Sequence, residues 1–328
     1  MIRIFDGLTF DDVLLQPQYS EISSRSHVDT SVEICGLFFK SPLISANMAS
    51  VTDGTMAKAM FDAGAFGIVH RYLSEDLTKK ELELVPEEYR CGSVGVQAFD
   101  YQRAENMRKY SENICLDIAH ADSRRAWDMI KHLKSLDFKM LIAGNVATKD
   151  GAARLIEAGA NVIKCGIGGG ANCSTRVVTG HGVPQLTAIM DAKKSIPKGC
   201  YLIADGGCRN SGDVTKALAA GADMVMMGNY FAGADESPSG KTGKHFGMAS
   251  EEAQLGFLGK VSNQMAEGVS SSVAPKGPVS GLVGQVTAGV RSGLSYSGCR
   301  NIKELQENAI FIRMTSNGLK ESVPHALL

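Results

Sequence analysis

Apolar residues along this chain gather in short unbroken runs, and helical segments separate the runs. Eight such runs stand out: SPLISANM (Ser41–Met48), FGIVHR (Phe66–Arg71), CGSVGVQ (Cys91–Gln97), ICLDIAH (Ile114–His120), KMLIAGNV (Lys139–Val146), NVIKCGIG (Asn161–Gly168), CYLIADGG (Cys200–Gly207) and DMVMMGNYFAG (Asp223–Gly233). Each is rich in Val and Ile and ends in glycine or polar residues. A strand with one wet face alternates apolar and polar positions; a continuous apolar run suits a strand buried on both faces of a parallel sheet.

A weak internal repeat supports this. In MAKAMFDAGAFGIVH, AARLIEAGANVIKCG and VTKALAAGADMVMMG a helical pattern ends in Ala-Gly-Ala and passes directly into a strand. The central glycine suits the left-handed conformation that closes a helix. Eight βα units predict a single (β/α)8 TIM barrel over residues 1–328, with a doubly wound sheet as the alternative. In a barrel, active sites lie at the C-terminal ends of the strands. The candidate positions are then Asn47–Met48, His70–Arg71, Asp117–His120, Gly144–Asn145, Gly166–Cys173, Asp205–Gly207 and Gly228–Asn229. The segment from Gly233 to Pro278 breaks the rhythm, with a helical pattern only around Ser250–Leu258; it predicts a mobile flap at about 234–278, after the eighth strand. The last 40 or so residues read as helical and end in the polar tail NGLKESVPHALL.

Length and composition agree with one barrel. The chain has 328 residues, 44% of them hydrophobic, enough for a large core without staples. Its formal net charge of −1 gives no global basic field for nucleic acid or an anionic membrane, so an anionic ligand must be held locally. No stretch approaches the roughly 20 apolar residues of a membrane span, and the opening MIRIFDGLTFDDVLL carries acids where a signal peptide is apolar. A cytoplasmic protein is the expectation. The eight cysteines form no CxxC pair and mostly sit inside apolar runs, as reduced buried thiols do.

One cysteine is different. In GIGGGANCSTR (Gly166–Arg176), Cys173 follows a crowd of glycines just past the sixth strand. Bare backbone lets N–H and C=O groups approach a ligand closely, and a thiolate is a strong nucleophile. The alternative is a structural cysteine beside a turn. Asp205-Gly206-Gly207 and Gly228-Asn229 end the seventh and eighth strands, where barrels often place a phosphate site. Exposed N–H groups there suit phosphate and Asp205 suits ribose hydroxyls; plain turn glycines are the alternative. Asp117 is a second ribose candidate, while His120 reads equally well as a structural hydrogen-bonder.

These residues resemble the IMP dehydrogenase/GMP reductase family over nearly the whole chain. GLTFDDVLLQP, IAGNV, GIGGGANCSTR, IADGG, MVMMGNYFAG and GMASE match that family's motifs in order. Only about 20 residues, Tyr72 to Cys91, join the second and third runs, leaving no room for the regulatory modules that dehydrogenases usually insert there. The dehydrogenases' water-activating Arg-Tyr pair is also missing from SEEAQLGFLGKVSNQMAEG (Ser250–Gly268). The resemblance therefore implies the reductase reaction, NADPH-dependent conversion of GMP to IMP and ammonia. Cys173 is implied to attack purine C2, with Thr175 and Glu267 as a proton relay. Asp205, Gly206, Gly207, Gly228 and Asn229 are implied to hold ribose and phosphate, and Gly247, Met248, Ala249 and Gly268 the base. The dinucleotide is assigned to Ser24, Arg25, Arg71, Asp117, Ile118, Ala119, Ile167 and Gly168. A monovalent cation, potassium, is assigned to Gly168, Gly170, Cys173 and Arg176. A homotetramer is also implied. Some features depart from the reductase pattern: the loop reads GGGANCST, Gln264 stands where reductases have arginine, and the tail GLKESVPH is dehydrogenase-like. A compact IMP dehydrogenase, a catalytically silent nucleotide-binding homologue, or a deoxy or modified purine nucleotide as substrate are the alternatives.

Overall fold

A computed structural model describes residues 4–258 and 265–324. Gln264 and the residues from His325 onward, named above, lie outside them. Each apolar run coincides with one strand of a single eight-stranded sheet, β4 alone starting one residue ahead of its run: β1 Leu43–Ser45, β2 Phe66–Gly67, β3 Cys91–Val94, β4 Asn113–Asp117, β5 Met140–Val146, β6 Val162–Cys165, β7 Tyr201–Asp205 and β8 Met224–Met227. The strands are parallel and hydrogen-bonded in the order β2-β1-β8-β7-β6-β5-β4-β3. The two ends of that order meet: Val69, just past β2, bridges Gly92 in parallel, and its N–H donates to the Cys91 carbonyl at 2.9 Å. The sheet is therefore a closed barrel, and the doubly wound alternative is excluded.

The barrel helices are α1 Gly54–Asp62, α2 Glu75–Glu83, α3 Ala98–Arg108, α4 Arg124–Ser135, α5 Lys149–Ala158, α6 Gln185–Lys193, α7 Ser211–Ala219 and α8 Val279–Tyr296. Their starts are written locally. Asp53, Ser74, Ser123, Thr148 and Asn210 each accept a backbone N–H from the first turn of α1, α2, α4, α5 and α7, a cap that contributes about 1 kcal/mol. Three of the ends follow the Ala-Gly-Ala repeat: Gly64, Gly159 and Gly221 take φ of 76°, 122° and 113°, a region open to glycine without the Cβ penalty. Between β2 and β3 the chain forms α2 and the single turn Glu87–Tyr89.

Apolar residues pack in two layers. Outside the barrel, strand residues such as Leu43, Leu116, Leu141 and Val225 meet the inner faces of the helices. Inside, Ile44, Met140, Ile142, Val162, Ile203 and Met224 form a second cluster. An antiparallel hairpin, Val32–Ile34 with Leu37–Phe39, inserts Ile34, Leu37 and Phe39 into that cluster and closes the N-terminal end. Each fully buried side chain of this size stabilises the fold by roughly 1.5–3 kcal/mol.

After β8 the chain makes an excursion: a short helix Pro238–Thr242, a strand Lys244–Phe246 paired antiparallel with Ser270–Ser272, and a helix Glu251–Leu258 where the sequence pattern places one. The C-terminal stretch is not wholly helical. After the helix Ile302–Asn308, Phe311–Arg313 forms a strand antiparallel to Val13–Leu15, with Leu14 opposite Ile312. That pairing partner lies almost the full chain away, beyond the reach of a local pattern. A helix at Ser316–Glu321 follows.

Candidate active site

A cavity of about 670 Å³ opens at the C-terminal ends of the strands. Most of the candidate residues line it: Cys173, Thr175 and Glu267; Asp205, Gly206 and Gly207; Gly228 and Asn229; Gly247, Met248 and Ala249; Arg71, Asp117, Ile118 and Ala119; and Ile167, Gly168, Gly170 and Arg176. Gly268 sits behind Cys173, paired with it in an antiparallel bridge. Ser24 and Arg25 are not brought to the cavity; they start an exposed turn, Arg25–His27, that packs beside α8. His120 is exposed and does not line the cavity.

The glycine loop and the returning arm of the excursion are joined backbone to backbone. Ser174 N–H donates to the Glu267 carbonyl at 3.0 Å, Val269 N–H to the Asn172 carbonyl at 3.0 Å, and Glu267 N–H to the Ala249 carbonyl at 3.2 Å. These bonds hold Glu267 and Cys173 on one wall. Cys173 Sγ–H donates to Thr175 Oγ1 at 3.1 Å. Of the eight thiols, Cys173 alone is exposed. The others are shielded from reaction: burial pushes Cys35 up to about 11 and Cys165 up to about 12, and raises Cys91, Cys115 and Cys208 as well.

The floor is ionic. Lys164, at the end of β6, is 2% exposed; its Nζ lies 2.9 Å from Asp117 Oδ1 and 2.8 Å from Asp205 Oδ2. It also donates to Asn145 Oδ1, whose own amide donates to Asp205 Oδ2 at 2.9 Å and the Gly166 carbonyl at 2.7 Å. Burial would raise the Asp117 carboxyl, but the Lys164 ammonium outweighs it and holds that group below the usual carboxylate range. Asp117 is therefore held as a charged acceptor, suited to paired hydroxyls, and Asp205 stands on the other side of the same ammonium.

Gly206 and Gly207 take φ of 100° and 82°. Their backbone reaches the glycine loop: a Cβ on Gly206 would stand 3.2 Å from the Gly170 nitrogen. Near Asn229, Lys276 Nζ donates to the carbonyls of Asn229 and Tyr230 at 2.8 and 2.9 Å. His245 places Nδ1 2.9 Å from Ser50 Oγ, and burial, with Lys276 nearby, brings it down to about 4, so its ring is neutral at pH 7. On another wall, Arg71 donates to Tyr72 Oη at 2.9 Å with its guanidinium 4.5 Å from the ring centre. Its Nε is buried without a partner.

Several lining residues carry no motif that singles them out: Lys164, Gln185, His245 and Lys276. Only Lys164 left a signal, a lone cation inside the apolar run NVIKCGIG. Such a lysine is buried only with counter-charges. Among the described residues no helix is long and apolar enough to cross a membrane, and no group of three or more His, Cys, Asp or Glu is placed to hold a metal.

Comparison with known proteins places this arrangement in context. A family model described as the IMP dehydrogenase / GMP reductase domain matches residues 7–325. An inosine-5'-monophosphate dehydrogenase of Nitrosopumilus maritimus is 33% identical over 470 aligned positions, covering 98% of this chain and 99% of that protein. That alignment is longer than this chain, so the relative carries residues with no counterpart here. A GMP reductase of Leishmania donovani is 42% identical over 253 residues, 71% of this chain and 51% of that protein. Among solved structures, a cysteine-to-alanine variant of GMP reductase from Trypanosoma brucei, in complex with guanosine 5'-monophosphate, superposes with a TM-score of 0.89 at 28% identity over 98% of both chains.

Proposed function

The chain belongs to the IMP dehydrogenase / GMP reductase family, whose members are oxidoreductases of purine nucleotides, and from that premise we propose that it reduces GMP. GMP, NADPH and two protons give IMP, ammonium and NADP+. The observation that carries this is the wall that unites exposed Cys173, Thr175 and Glu267, built from a flap sequence, Ser250–Gly268, that lacks arginine and tyrosine to activate water.

In this mechanism the Cys173 sulfur bonds to purine C2. Thr175 Oγ1, already in contact with the thiol, and the Glu267 carboxylate relay protons to the exocyclic amine, and the C2–N bond breaks with its electron pair leaving on ammonia. The hydride that C2 then receives comes from the bound dinucleotide. The C2–S bond breaks last and returns the thiolate. Asp205 with the Gly206–Gly207 backbone holds ribose and phosphate, Gly228 and Asn229 share the phosphate, and Gly247, Met248, Ala249 and Gly268 frame the base.

The residues fit a dinucleotide. Asp117 presents a charged carboxylate for ribose hydroxyls beside the backbone of Ile118 and Ala119, with Ile167 and Gly168 across the cavity. The buried, unpartnered Arg71 Nε marks a guanidinium with donor capacity to spare, which suits a phosphate. Ser24 and Arg25 lie off this chain's cavity, so their contact belongs to the dinucleotide of a neighbouring copy in a homotetramer. Potassium belongs on the carbonyls of Gly168, Gly170 and Cys173 at the turn that leads to Arg176, since a hard cation takes oxygen ligands.

The competing activity, oxidation of IMP with NAD, is favoured by the full-length match to a dehydrogenase and by the tail GLKESVPH. Incubation with GMP and NADPH, and separately with IMP and NAD, decides. Ammonia release with loss of NADPH absorbance supports reduction; NADH formation from IMP overturns it. The same assays in potassium and sodium chloride test the cation.

A further inference from the structure

On that functional basis, we infer that Lys164 is a positioning residue that clamps the carboxylates of Asp117 and Asp205 together and so couples binding of the nucleotide to binding of the dinucleotide. The proposal rests first on register. Asp117 pairs with Gly144, Gly144 with Lys164, and Lys164 with Ile203, two residues before Asp205. Four adjacent strands, β4 to β7, thus bring Asp117, Asn145, Lys164 and Asp205 to one layer. β5 clears the space: a Cβ on Gly144 would lie 2.5 Å from the Lys164 carbonyl and 2.6 Å from its Cβ.

The valence of the ammonium supplies the second argument. A lysine has three N–H donors, and Asp117, Asp205 and Asn145 take all three. Nothing is left to donate to substrate, so Lys164 is not a general acid. Burial alone would make it easier to deprotonate, but the two carboxylates outweigh that and hold it charged. The acids, by contrast, retain 20% and 21% of their side-chain exposure, so each keeps a face toward the cavity. Lys164 touches neither ligand and acts through both.

The third argument is cost. Burying an ammonium costs several kcal/mol before pairing, and the inner cluster of this barrel is otherwise built from Ile, Val, Met, Leu, Phe, Ala and Cys. A core filler would be apolar. A lysine is explained by two acids that must stay ionised close together; without it, repulsion raises one carboxyl and leaves a shared proton.

Calorimetric titration of GMP and of NADPH into the full chain, between pH 5.5 and 8.5, tests the coupling with wild type, Lys164→Met and Lys164→Met/Asp117→Asn. For Lys164→Met, both dissociation constants rise about 10- to 100-fold at pH 7, the loss of a charge-assisted contact at each acid. Both also gain a pH dependence beyond the wild-type profile, which carries the second ionisation of the ligand phosphates at about pH 6, and weaken further as a carboxyl protonates. Removing Asp117 along with the lysine relieves the repulsion. GMP affinity in the double variant returns to within about 3-fold of wild type and follows the wild-type pH profile, while NADPH binding stays weak. A lysine that only props up the barrel gives neither the pH profile nor the rescue. Should Lys164→Met not fold, Lys164→Gln carries the same test. Weakening of only one ligand, or of neither, overturns the coupling while leaving the proposed activity intact. If wild type binds neither GMP nor NADPH, the proposed function falls and takes the coupling with it.

Discussion

Acidification will destabilise this fold through His70, the residue at the mouth of β2. Its Nδ1 accepts the Tyr72 backbone N–H at 3.1 Å, so the ring is held neutral, and protonating that nitrogen sets two donors against each other. Burial, reinforced by the nearby Arg103 charge, brings the group down from 6.5 to about 4. Between those values the unfolded chain binds a proton that the folded chain refuses, so stability is complete above pH 6.5 and is lost as pH falls toward 4. At 1.36 kcal/mol per pKa unit the full loss is roughly 3 kcal/mol, about 2 kcal/mol of it gone by pH 5. Urea unfolding of wild type and His70→Asn from pH 7.5 to 4 measures it. Other acid-sensitive groups, His245 and Asp117 among them, titrate in both proteins, so the difference between the two curves isolates His70. The asparagine carbonyl still accepts from Tyr72 but does not titrate, so the variant loses roughly 3 kcal/mol less across that range. Parallel curves, or a His70 ring that titrates near 6.5 by NMR, refute the reasoning. Because His70 anchors the turn that carries Arg71 and Tyr72 and stays neutral in the folded chain until about pH 4, NADPH affinity should weaken only as pH falls to that value.

Cys173→Ser is expected to abolish turnover of GMP while keeping its affinity within about 3-fold by calorimetry, since the hydroxyl replaces the nucleophile but not the binding contacts. Two glycine substitutions have opposite signs. Gly144→Ala forces a methyl into the Lys164 backbone and should cost about 1–3 kcal/mol in urea unfolding, whereas Gly284→Ala, inside α8 with open space around its added methyl, should add about 0.5–1 kcal/mol. At the surface, Arg154→Ala breaks the 2.6 Å pair with Asp122, yet Arg154 is half exposed, so the same assay should register less than about 1 kcal/mol.

The barrel was legible because its signals are local. A continuous Val/Ile run and an Ala-Gly-Ala end are each complete within a dozen residues, and seven of the eight strands formed inside the runs that announced them, β4 starting one residue early at Asn113. The loop that brings Cys173, Thr175 and Arg176 to the cavity was legible for the same reason, since all three lie in one stretch. What escaped depends on residues far apart in the chain. Lys164 means little until β4 and β7 bring Asp117 and Asp205 to it, and Gln185, His245 and Lys276 join the cavity only through loops from separate units. The strand Phe311–Arg313 has no partner in its own neighbourhood. Ser24 and Arg25, assigned by resemblance, illustrate the converse: a motif can match while its place in this chain is remote from the cavity.

The hairpin that plugs the barrel floor makes the cavity a blind alley. Whatever enters must leave through the same doorway, so if two molecules lodge one beneath the other, the inner one leaves last. Excess of a rim-binding product should therefore slow escape of the inner one, not merely compete with its entry.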